Sequence, residues 1–152
     1  MRYEQTRTIL QHLAPNYHRA VSRYYQALAD GDVSPRVRLM LDYLIDHEQH
    51  RALALGEFCQ DASRHVLDHW FKGLEVEFPQ ARPDLLGDAA RNDLDELIRA
   101  AVDYKLNLIL YFTHLLERAN GKETIELFQT LKTQEEKAMK RMIRHAQGLA
   151  DL

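Results

Sequence analysis

Residues 41–55 read LDYLIDHEQHRALAL, and this stretch decides the fold. At helical spacing Leu41, Leu44, Ile45, Ala52 and Leu55 share one side of a helix, and Glu48 falls among them. A carboxylate in an apolar stripe is costly unless it is paired or ligates a cation. The position therefore ties the fold of the chain to the chemistry of its core.

The stretch lies in the second of four long amphipathic segments. ADGDVSP breaks the chain before it: Gly31 suits a helix C-cap, Ser34 an N-cap and Pro35 the first helical position, which predicts a helix over about 35–60. A first helix is expected over about 3–30, with Ile9, Leu10, Leu13, Tyr17, Val21, Tyr24 and Leu28 at helical spacing. Pro15 bends this helix or marks where it properly begins. The third, about 89–119, is apolar over more than one face, and Asn120-Gly121 ends it. The fourth runs over about 122–148, and no segment reads as a strand.

A few residues join the first helix to the second and the third to the fourth, so each pair forms an antiparallel hairpin. The connection between the pairs, about 61–88, is longer and contains an amphipathic piece, HVLDHWFKGLEVEF, that reads as a short helix. Helices of this size are roughly 39 Å long, and the connection is long enough to return the chain to the same end. The expected fold class is all-α: a four-helix bundle of two hairpins joined by a long crossover, as one domain covering 1–152. Trp70, Phe71 and Phe78 in the crossover are expected to pack across the bundle or against a neighbouring subunit.

Composition narrows the functions available. A formal charge of −3 with both signs interspersed offers no basic face for nucleic acid. No run approaches the length of a membrane span, and the opening MRYEQTRTILQHL lacks the apolar core of a signal peptide. Cys59 is the single cysteine, which excludes an intrachain disulfide and fits a cytoplasmic protein. There is no phosphate-cradling glycine loop, no nucleophile elbow and no Cys-x-x-Cys module.

The two hairpins resemble each other. LDYLIDHEQHR (41–51) aligns with FQTLKTQEEKA (128–138), matching Leu44 to Leu131, Glu48 to Glu135 and Arg51 to Ala138. YHRAVSRYYQALA (17–29) aligns with YKLNLILYFTHLL (104–116), matching Tyr17 to Tyr104, Tyr24 to Tyr111 and Tyr25 to Phe112. On these residues the chain resembles the ferritin-like superfamily and, within it, the rubrerythrin-like proteins, over the four helices but not over 61–88. That resemblance implies a bundle core in which Glu-x-x-His on the second and fourth helices, and one Glu on the first and third, hold two irons. Here Glu48 is followed by Arg51 and Glu135 by Ala138, where the pattern has His. Tyr17 and Tyr104 stand where the other two carboxylates belong. Two of six ligands remain in strict alignment, and the resemblance implies a degenerate site.

Two readings of that layer follow. In the first, Tyr17, Glu48, Arg51, Tyr104 and Glu135 form a polar core network without a cofactor, the tyrosines donating to the carboxylates and Arg51 neutralising Glu48 from the same helix. The protein is then a structural or interaction protein, expected to be a homodimer, with no nucleic-acid or membrane partner. In the second, Glu48 and Glu135 keep an iron, manganese or zinc ion with altered ligands drawn from His18, His47 and Asp103, as a metal-dependent oxidoreductase or storage-type protein. His65 and His69, four residues apart, form a separate imidazole pair with no obvious third ligand.

Overall fold

Helices form where the apolar spacing predicted them. The computed structural model describes residues 2–152, and four long helices dominate it. Helix α1 comprises Thr6–Thr8 and Ala14–Ala29, joined through one π-helical turn at Ile9–Leu13. Pro15 has no N–H to give and its ring crowds the carbonyl four residues back. The chain absorbs this by widening one turn, in which the Ala14 N–H bonds the Ile9 carbonyl, and the helix continues.

Helix α2 is Pro35–Asp61, capped as expected by the Ser34 side chain, which accepts the Val37 N–H. Gly31 is not the left-handed cap that the sequence suggested. Its φ is not positive, and the Arg91 side chain lies over it, its Nε 2.7 Å from where a Cβ would stand. Helix α3 is Leu94–Arg118, capped by the Asp93 side chain, and helix α4 is Lys122–Ala150.

The crossover departs from expectation. Arg2–Gln5 is a strand, β1, and it pairs antiparallel with β2, Trp70–Leu74, inside the piece expected to be a short helix. Only Arg64–Leu67 of that piece is helical, a single turn with Ser63 at its cap. Phe71 and Leu74 are buried while Trp70 and Lys72 face out, an alternation interrupted at Gly73, which has positive φ. The strand was illegible because its partner lies more than sixty residues away and only five residues carry the pattern. Phe71 packs edge-on against Phe128 and Phe78 against Tyr17 and Tyr111, but Trp70 stays half exposed and does not pack across the bundle.

The fold is therefore a helical bundle with a two-stranded clasp. Helix α1 packs along α2 and α3 along α4, and the two hairpins meet through α2 against α3 and α4. The core between them is continuous, from Ile9 and Val21 through Met40 and Leu44 to Leu108, Phe112, Phe128 and Leu131. Among the described residues no helix is long and apolar enough to cross a membrane.

Candidate functional site

Glu48 lies in the middle of that core, as its place in the stripe required, and so does Glu135. Two cations lie with them: His18 on α1 and Lys105 on α3. All four residues are no more than 2% exposed. Lys105 Nζ lies 3.0 Å from Glu48 Oε1 and 2.8 Å from Glu135 Oε2. His18 bridges the other two oxygens, Nδ1 making a short contact with Glu48 Oε2 and Nε2 lying 3.3 Å from Glu135 Oε1. The four groups form a closed ring in which each carboxylate touches both cations. Arg51 closes the open side, with Nε 3.2 Å from Glu135 Oε1.

The ring fixes the protonation of its members. Both nitrogens of His18 face carboxylate oxygens, and only the imidazolium donates from both. Burial opposes that charge, but Glu48 and Glu135 overcome it and raise the pKa of His18. Lys105 is held charged in the same way, burial again being outweighed by the two carboxylates. For the carboxylates the balance is reciprocal. Burial alone would raise them, yet Lys105 and His18 bring Glu48 down to about 2 and Glu135 well below its ordinary value. Three positive and two negative groups thus share a layer shielded from solvent.

Arg51 was expected to neutralise Glu48 one turn away on α2. It reaches across to Glu135 instead, sharing Oε1 with His18, so that Glu135 has three nitrogen partners and Glu48 two. The tyrosines also depart from expectation. The Tyr17 hydroxyl donates to the Tyr104 carbonyl at 2.5 Å, stitching α1 to α3, and the Tyr104 hydroxyl donates to the Arg82 carbonyl in the crossover. Neither donates to a carboxylate. Burial and the nearby negative charges push the Tyr17 hydroxyl far up, so it remains neutral.

Of the candidate metal ligands, His18, Glu48 and Glu135 come together. His47 lies beside them with its Nε2 buried and unpartnered, its ring parallel to that of Tyr43. Burial, then the Lys105 charge, lowers it to about 4, so it is a neutral imidazole. Asp103 is half-buried on α3 and does not join the ring. His65 and His69 find no third metal-binding partner among the described residues.

Lys105 is the member the sequence reading missed, although the internal repeat pointed to it. Tyr17 aligns with Tyr104, so His18 aligns with Lys105: each hairpin supplies one cation directly after a tyrosine and one glutamate opposite. The signal was hidden because lysine is not expected at a buried position.

The residues do not fit a di-iron centre. All four carboxylate oxygens already face nitrogen donors, His18 has no lone pair to offer as an imidazolium, and an ammonium group lies between the two glutamates. No family model matches the chain, and no curated protein or solved structure matches it either.

Proposed function

We propose that this chain is a ferritin-like bundle whose central ligand layer has become an ion-pair ring, and that it works as a structural, oligomerising protein rather than as a di-iron oxidoreductase. The observation that carries this reading is Lys105 Nζ, within 3.0 Å of both Glu48 and Glu135. In a ferritin-like layout these two carboxylates would bind the metals. A fixed ammonium group between them supplies the neutralising charge that a cation would otherwise bring, and it repels any cation approaching them. The internal repeat supports the layout, since the two hairpins contribute equivalent halves of the ring.

The competing reading is a metalloprotein that uses Glu48 and Glu135 with altered ligands and holds iron, manganese or zinc. It draws on the unpartnered Nε2 of His47, a neutral imidazole beside the ring. Elemental analysis of protein purified without chelators separates the two. The ion-pair reading expects iron, manganese and zinc far below one equivalent per chain. One equivalent or more that disappears in the Glu48→Ala, Glu135→Ala variant would overturn it.

A further inference from the structure

The outward face of α3 carries a pattern that the buried ring does not use. Arg99, Asp103, Leu106, Leu110, Thr113 and Glu117 succeed one another at intervals of four, three, four, three and four residues. That is the 3.5-residue period of a helix–helix seam, and it lies on the solvent side of the most apolar helix. Leu106 and Leu110 are 45% and 58% exposed, and the side chains of Arg99 and Glu117 are 70% and 64% exposed. Their polar contacts stay within α3: Arg99 bonds Glu96, the Thr113 hydroxyl donates to the Ile109 carbonyl, and Glu117 lies near His114. Single exposed leucines are ordinary, but two in succession along a seam, bordered by half-buried Val102 and Ile109, are a patch.

The pattern is self-complementary in one orientation only. When a second copy of α3 runs antiparallel across a two-fold axis level with Leu108, Leu106 meets Leu110, Asp103 meets Thr113, and Arg99 meets Glu117. Each pairing occurs twice, as an isologous interface requires. The centre is apolar, the next layer pairs a carboxylate with a hydroxyl, and the outermost layer pairs opposite charges. A parallel arrangement would instead set Asp103 against Asp103 and Glu117 against Glu117, which repel.

We propose that this face of α3 is a homodimer interface, with α3 packed antiparallel on its copy about Leu108. The inference names the partner for the oligomerising role proposed above and rests on that reading. The seam spans roughly 27 Å of helix, and one helix face buries less than the roughly 1,600 Å² of a standard interface. The dimer is therefore weak, with a dissociation constant in the micromolar range.

Sedimentation velocity across about 1–200 µM of this chain reads the equilibrium directly. The expected result is a concentration-dependent dimer. Arg99→Glu and Glu117→Arg should each weaken it about tenfold, and the double reversal should recover most of that loss. Leu106→Glu should abolish the dimer, while its circular dichroism and melting remain those of the parent because the side chain is exposed. A dimer whose affinity none of these variants changes retires this interface and leaves the oligomerising role standing through another face. A monomer at every concentration retires the interface and the choice of a second copy as partner. Metal content, measured separately, bears only on the reading of the ring.

Discussion

An ammonium group can be buried only where carboxylates replace its water, and Lys105 meets two of them. Removing one member of such a ring differs from removing all of it. Lys105→Met leaves Glu48 and Glu135 facing each other in the core with only His18 and Arg51 to neutralise them, and it should cost about 3–5 kcal/mol in urea titration. The exposed Lys140→Met is the control and should stay within about 0.5 kcal/mol. A loss below about 1 kcal/mol for Lys105→Met would mean that the ring does not form in solution. At this scale the sequence was half legible. Glu48 and Glu135 stood out because acids interrupt an apolar stripe. Lys105 did not, because a lysine beside Tyr104 on a helix apolar over several faces reads as a charge that reaches water. The direction in which Arg51 and the two tyrosine hydroxyls turn was set by partners on other helices, which no local pattern contains.

The helices themselves were legible to within a few residues, because their apolar periodicity and caps are local properties. The π-helical turn before Pro15 and the β1–β2 clasp were not, since one is a response to a missing donor and the other needs two segments far apart in sequence. Glycine makes the element-scale physics measurable. Gly121, between α3 and α4, has a φ of +90°, while Gly56 sits on the exposed face of α2 with nothing within 4 Å of an added Cβ. The same substitution should therefore act in opposite directions. Gly121→Ala should destabilise by about 1–3 kcal/mol from backbone strain alone, since the space around it is open. Gly56→Ala should stabilise by about 1 kcal/mol through helix propensity. Thermal melts of the two variants check both signs, and equal shifts would contradict the turn geometry.

At the scale of the whole molecule, the ring makes stability depend on pH from both sides. His18 has a folded pKa raised above its unfolded value of about 6.5, so its contribution is complete below that value and is lost as pH rises through the folded pKa. Glu48 is the reverse: its contribution is present above its unfolded value of 4.5 and is lost as pH falls through about 2. The raw profile carries both histidines: His18 acts above about 6.5, while His47, lowered to about 4, makes stability fall as pH drops from 6.5 toward that value. The difference between the parent and His18→Gln isolates the first. The parent's advantage should be greatest near pH 6 and shrink toward pH 9, by at most about 1.4 kcal/mol per unit, in urea titrations at each pH. A difference that does not change with pH would mean that His18 is neutral in the fold. The ring also has a consequence for how the two hairpins find each other. Apolar helix faces tolerate sliding, and a slip of one helical turn, about 5.4 Å, would still set leucine against leucine. The same slip would separate His18 and Glu48 from Lys105 and Glu135 and strand buried charges on both sides. The ring thus selects one axial alignment out of several that hydrophobic packing alone would accept, and it acts as a locating pin as well as a source of stability.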